Sequence, residues 1–308
     1  MSFRQFVALS FSIFFSSTTL AAPSYRFTAS LDALHQDLGH SAAGKASSKI
    51  YNISGSAYLN PIELDGSVPY RTAAFFSRTT SLLLAAAKSR SSGLNAVRGG
   101  RILKEMESNA KSATLQLARP DLPVWFKVQH IRYSNEKLSF SSGSDVDVED
   151  RSVTEWTAGV FITRHISAYA LYEKDTDKTY GAGIVALIQA GEGQFFEANL
   201  QHETTDEEKV DLVVVNNTIR NLDITPTVIK KWFADVKFFP NVNTYIGLGY
   251  ELSKYDYAPN SKHVSFDAGY FFTNNFAIDA SYQRESDNHI SSNRFNYTAY
   301  TLSASLRF

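Results

Sequence analysis

The sequence predicts an all-β fold, a transmembrane antiparallel up-and-down β-barrel of about 14 strands, with 12 to 16 compatible with the pattern. Three observations predict it: a C-terminal segment that alternates apolar and polar residues and stops on Phe308, repeated units of strand, tight turn and strand, and a leader-like N-terminus.

The N-terminus is read first. Residues 1–22 carry one base, Arg4, an apolar core from Phe6 to Phe15 and a small-residue end at Ala21 and Ala22. This is the layout of a secretory signal peptide, and its core of about ten residues falls short of the roughly 20 that span a bilayer as a helix. The expected mature chain is 23–308, a single barrel domain.

Composition narrows the class. With 44% hydrophobic and 20% charged residues the chain is neither disordered nor a helical membrane protein, and the longest apolar run after the leader, Leu82 to Ala87, has six residues. Lys plus Arg number 30 against 31 for Asp plus Glu, a balance that implies no nucleic-acid partner. There is no Cys, so a secreted chain of this size needs another source of stability, which a closed hydrogen-bonded barrel supplies. Aromatics reach 13%, as expected of a surface that crosses from lipid to water.

Strands are expected near 25–38, 50–59, 70–87, 114–121, 124–133, 153–163, 166–174, 179–190, 195–203, 226–239, 243–253, 263–272, 276–284 and 295–308. Three hairpins repeat one layout, with turns at Thr163-Arg-His165, Pro240-Asn-Val-Asn243 and Thr273-Asn-Asn275, and a fourth turns at Ala190 to Gln194. The remaining connections are read as long and polar: 39–49, 88–113, 134–152, 204–222, 254–262 and 285–294. Short turns at one end and long loops at the other suit a membrane barrel better than a soluble β-sandwich, the competing fold.

The last strand places Tyr300, Leu302, Ala304, Leu306 and Phe308 on one face. That arrangement resembles the C-terminal signature of Gram-negative outer-membrane barrels, which implies that Tyr300, Leu302, Leu306 and Phe308 form the signal read by the barrel assembly machinery. The phrases Tyr51 to Pro61 and Pro69 to Ser81, with the repeated hairpins, resemble a family of small porins of the Gram-negative outer membrane. The resemblance implies passive diffusion of small hydrophilic solutes or ions, with membrane lipid and lipopolysaccharide as surroundings and no cofactor or metal.

Alternation also divides the faces. Trp156, Ala158, Val160 and Ile162, Trp232 to Phe238, Ile246 to Leu252, Phe266 to Phe272 and Phe276 to Tyr282, taken every second residue, are expected to face lipid. The alternate positions bring Lys127, Glu155, Glu197, Lys231, Asp235, Lys237, Glu251, Asp267, Asp279 and Arg307 inward, since a base on the lipid face at the bilayer midplane costs about 2–4 kcal/mol. These are the pore-lining candidates. Gly159, Gly247, Gly249 and Gly269 share that face and are expected to leave room for water or to relieve curvature.

The segment 88–111 carries six bases and two acids, and Ile102, Leu103, Met106 and Ala110 recur at helical spacing. It is expected either to form a short helix folded into the barrel mouth, where Arg98, Arg101 and Lys104 would constrict the pore and favour anions, or to remain a surface loop, leaving the wall acids to favour cations weakly. The pairs His165/Ser167, His263/Ser265 and His289/Ser291 raise a hydrolase alternative, with a base and a nucleophile two apart on a strand. Acidic stretches such as 145–150 raise a structural or adhesive one. The hydrolase pairs have no supporting flanking sequence and acidic runs are ordinarily solvated loops, so the expectation is a non-enzymatic channel, with a structural or adhesive barrel as the alternative.

Overall fold

The structure is a computed structural model that describes residues 24–41, 44–98, 101–140, 143, 145–148, 150–174, 178–215, 218–256, 260–287 and 296–308. The leader 1–22 and the His289/Ser291 pair lie outside the described residues. The elements run β1 (Ser24–Ser41), β2 (Gly44–Glu63), α1 (Ala73–Phe76), β3 (Ser81–Arg98), β4 (Arg101–Ala118), β5 (Val124–Phe140), β6 (Asp145–Val148) and β7 (Arg151–Phe161). They continue with β8 (Ile166–Lys174), β9 (Lys178–Gly191), β10 (Gln194–Val215), β11 (Thr218–Asn241), β12 (Thr244–Tyr255), β13 (Ser261–Thr273), β14 (Phe276–Asp287) and β15 (Asn296–Arg307).

Every strand pairs antiparallel with its chain neighbour, β5 with β7 past the short β6, and β15 returns to β1. Leaving aside β6, which pairs only with the far end of β5, this is a closed barrel of 14 strands. The seam runs from Thr28 opposite Arg307 to Asp37 opposite Thr298. It is finished by the terminal residue itself: Arg26 N and Phe27 N donate to Phe308 O at 2.7 and 3.0 Å, and Phe308 N donates to Phe27 O at 2.9 Å. A closed ladder leaves no strand edge, which is what a segment surrounded by hydrocarbon requires.

The two faces sort as alternation requires. Leu248, Phe266, Phe272 and Leu302 point outward with 52–59% of their surface exposed, and Tyr300 and Phe308 share that face. The core lies inside the barrel at the end where the short turns gather, around Tyr25, Ile62, Phe76, Trp125, Phe161, Phe239, Tyr245 and Phe271.

Two expectations about connections are corrected. The stretches 39–49, 88–113 and 204–222 are mostly strand: β1 with β2, β3 with β4 and β10 with β11 continue their pairing as far as Ser41 opposite Gly44, Arg98 opposite Arg101 and Val215 opposite Thr218. Outside the bilayer both faces of a strand can be polar, so the ladder persists after the alternation that marks it in sequence has ended. The long described connection lies instead at the turn end, where 64–80 joins β2 to β3. Residues 70–80, expected as strand, belong to it. Pro69 lacks the amide a ladder needs, and Gly66 (φ 81°) and Arg78 (φ 51°) take left-handed backbone that interrupts extension.

Candidate functional site: an occupied lumen

The connection 64–80 folds back into the barrel rather than away from it. Asp65 accepts from Ser67 N at 2.8 Å in a tight turn, and hydrogen bonding from the Ser67 hydroxyl and then from its amide holds the carboxyl below the usual carboxylate range. Tyr70 N then donates to Val242 O at 3.0 Å, tying the segment to the β11–β12 turn. Thr72 O accepts from Phe75 N and Phe76 N at 3.1 and 3.2 Å, which winds the single turn α1 and presents two aromatic rings. Ala73 and Phe76 are buried.

Charged groups anchor each end of the turn. Arg71 Nη1 lies 2.8 Å from Asp279 Oδ1, and its guanidinium sits 4.6 Å from the Tyr245 ring centroid. Arg78 donates to Thr163 O at 3.0 Å and covers the Phe161 ring at 4.3 Å. From the wall, Arg307 donates to Tyr70 O at 2.7 Å while its guanidinium stacks on Tyr25 and Phe271 at 4.7 and 4.3 Å. Ring contacts complete the seat. Phe75 meets Trp125 edge to face at 5.7 Å and Phe161 at 5.4 Å, and Phe76 meets the His165 ring at 6.1 Å.

Three lumen cavities border this plug. One of about 520 Å³ lies against Arg71, Phe75 and Phe76 and is walled by Glu197, Asp235, Lys237 and Asp267. One of about 240 Å³ lies between Phe75, Trp125, Lys127 and Glu155. A third, of about 280 Å³, lies toward the turns among Glu63, Asp65, Thr79 and Arg164, with Phe76 again on its wall. Phe76 therefore separates lumen on one side from lumen on the other.

Several of the wall charges pair with one another, within β11 and across strands. Lys127 Nζ is 2.7 Å from Glu155 Oε1, and Lys237 binds Asp235 and stands 3.6 Å from Glu197. Glu251 accepts from Ser253 at 3.0 Å, Asp279 from Tyr245 OH at 2.5 Å, and Lys231 stands opposite Glu203. Asp267 borders the 520 Å³ cavity, and Arg307 is buried at the turn end. Counting the ten inward candidates gives four bases and six acids, or −2, and the plug's Arg71 offsets Glu203.

The basic constriction is a correction. Arg98 and Arg101 face each other at the tip of the β3–β4 hairpin, and Lys104 follows on β4 as an exposed residue. Residues 101–118 pair with β3 on one side and, from Leu103, with β5 on the other, so their amide groups are engaged in the wall and form no helix in the mouth. The obstruction is the 64–80 segment, which sequence reading passed over. Its signal was present in the breakers Gly66 and Pro69 and in the three-residue spacing of Tyr70, Ala73 and Phe76.

The inward glycines also have a different use from the expected one. A Cβ on Gly159 would overlap the Trp125 indole, and one on Gly269 would overlap the Tyr245 ring and the Asp279 carboxylate. The large rings lie flat across the neighbouring strand where that strand has no side chain. Trp125 then donates to Ser167 Oγ at 2.9 Å, and Ser167 donates on to Val160 O at 3.2 Å, so this serine is engaged with the wall and not with His165.

Omp33 of Acinetobacter baumannii shares this barrel. The two align over 94% of this chain and 100% of that one with a TM-score of 0.58 at 11% identity. The toluene transporter TodX of P. putida aligns at 12% identity and a TM-score of 0.56, covering 94% of this chain and 91% of that one. A FadL homologue of Pseudomonas aeruginosa aligns at 12% identity and 0.57, covering 92% and 90%. No family model matches the chain, and the search of curated proteins returned no match. At these identities the likeness shows the fold, that of Gram-negative outer-membrane barrels.

Proposed function

We propose that the protein is an outer-membrane channel for small hydrophilic solutes or ions, closed in this structure by the 64–80 segment. The turn end would face the periplasm and the long strand extensions the exterior, the usual orientation of bacterial barrels. The observation that carries the reading is a charged, wet lumen interrupted by a short segment held by edge contacts and three cationic anchors rather than by a continuous strand ladder. Two neighbouring folds belong to a hydrocarbon transporter and a FadL homologue, but the lumen here is lined by Lys127, Glu155, Glu197, Asp235, Lys237 and Asp267, which suits polar cargo. The C-terminal residues Tyr300, Leu302, Leu306 and Phe308 would serve as the assembly signal.

Single-channel recording in planar bilayers tests the proposal. The full-length barrel should show rare openings, and a variant in which Gly-Gly replaces 66–79 should conduct steadily. A deletion variant that folds but carries no ohmic current would overturn the channel reading.

A further inference from the structure

The lipid face carries one group of charges that the channel does not use. At the loop end of β11, β12, β13 and β14 the outward positions are Lys230, Lys254, Lys262 and Arg284, all exposed. Lys230 stands directly opposite Lys254, Lys262 opposite Leu252, and Arg284 opposite Val264, so the four bases sit side by side on consecutive strands. Among the described residues none of them has an ion-pair partner. Like charges directly opposite one another on a sheet repel, and this arrangement needs an anion to offset it.

Height selects the anion. Phe272 marks the turn end of the apolar face of β13, and Lys262 lies ten residues away along the same strand. At a rise of ~3.3 Å and a tilt of ~40° that is about 25 Å, the height of the apolar band of such barrels. The bases therefore stand at the opposite interface, level with headgroups. Next to them an apolar groove of about 540 Å³ runs down the outer surface, floored by Ala182 and Ala234 and walled by Ile184, Leu200, Trp232 and Tyr250. Trp232 joins the two features, with Lys254 Nζ 5.0 Å from its ring centroid. The nearby acids, Asp206 on this face of β10 and Asp256 just past β12, lie two positions farther toward the loops.

We propose that the Lys230, Lys254, Lys262 and Arg284 cluster with the adjoining groove is a binding site for a phosphorylated outer-leaflet glycolipid of the lipid A type, its phosphates on the bases and an acyl chain in the groove. The inference rests on the outer-membrane placement proposed above. Charge-assisted bonds to phosphate satisfy bases that would otherwise stand unpaired beside hydrocarbon, and the groove removes a chain from bulk lipid.

The test uses the full barrel purified in neutral detergent and titrated with diphosphoryl lipid A, chemically dephosphorylated lipid A and inorganic phosphate, with bound lipid counted by native mass spectrometry. The wild type should prefer the diphosphoryl form by about tenfold or more, and Lys230→Ser/Lys254→Ser/Lys262→Ser/Arg284→Ser should lose that preference while an Arg119→Ser control keeps it. If heat-modifiability on gels shows that the quadruple variant is not folded, Lys254→Ser/Lys262→Ser replaces it. Equal wild-type affinity for both lipids, or a variant that retains the preference, overturns the site. Displacement of the lipid by millimolar inorganic phosphate would mark a free-anion site and overturn the lipid assignment. Conductance is measured separately, so a barrel that binds lipid but passes no current defeats the channel reading alone.

Discussion

Replacing Phe76 by Ala should loosen the plug without disturbing the wall. The ring is 6% exposed and touches Phe75 on its own segment at 5.1 Å and His165 on the β7–β8 turn at 6.1 Å. A fully packed Phe→Ala change costs about 3–5 kcal/mol, and here one of the ring's two aromatic partners, His165, belongs to the wall, so about 2 kcal/mol of docking free energy is lost. That corresponds to roughly a 30-fold rise in the ratio of released to docked segment. In planar bilayers the open fraction should rise by that factor at unchanged unitary conductance, because the released segment leaves the same bore. Heat-modifiability should stay normal, since no ladder bond involves Phe76. An open fraction equal to that of the wild type would refute the idea that 64–80 obstructs the pore by packing.

Other predictions follow from the same geometry. With the β3–β4 hairpin in the wall and six acids against four bases among the ten inward candidates, reversal potentials in a salt gradient should show a cation preference that fades at high salt, and Glu197→Gln/Asp267→Asn should weaken it; an anion-selective wild type would contradict the acidic excess of those candidates. His165 has its pKa lowered by burial and by Arg164 and Arg78, and its buried Nε2 has no hydrogen-bond partner. Because the folded pKa lies below the unfolded one, the docked plug keeps its stability above about pH 6.5 and loses it as pH falls through the folded value. Openings should therefore become more frequent toward pH 5 in the wild type and not in His165→Gln. Deleting Phe308 removes the carbonyl that accepts from Arg26 N and Phe27 N and the amide that donates to Phe27 O, and cellular fractionation should find the variant in periplasmic aggregates rather than as heat-modifiable membrane protein.

Strand identity and facing were legible because the bilayer imposes period 2: Ile246, Leu248, Tyr250 and Leu252 on one face of β12 and Tyr245, Gly247, Gly249 and Glu251 on the other can be read without coordinates. The strand count of 14 followed from the same pattern. Legibility failed where the solvent changed. Beyond the membrane, β10 continues to Val215 through Asp206, Glu207 and Glu208, and no alternation survives there to distinguish strand from loop. The plug failed for another reason. Its four-residue helix has too few residues to show a period of its own, and Ser77 to Ser81, between it and Leu82 of β3, hold no Gly or Pro to mark a boundary. Inward charges were identifiable one by one, but their pairing across strands, Lys127 with Glu155 for example, depends on register that a sequence does not state.

The rings laid over glycines have a consequence for size selection. Trp125 rests against Gly159, Tyr169 against Gly183 and Tyr245 against Gly269, and each is pinned at its tip, by Ser167, Gln201 and Asp279 respectively. They belong to the wall, Trp125 and Tyr169 side by side with 6.1 Å between ring centroids and Tyr245 apart on β12, so they remain when the plug departs. The aperture left behind is then a rigid collar with two projections, the Trp125–Tyr169 pair and Tyr245, narrower than the bore of 14 strands. Closure and sieving would be handled by separate parts, one that moves and one that does not. A change in collar residues should alter which solutes pass, while a change in the plug alters only how often they pass.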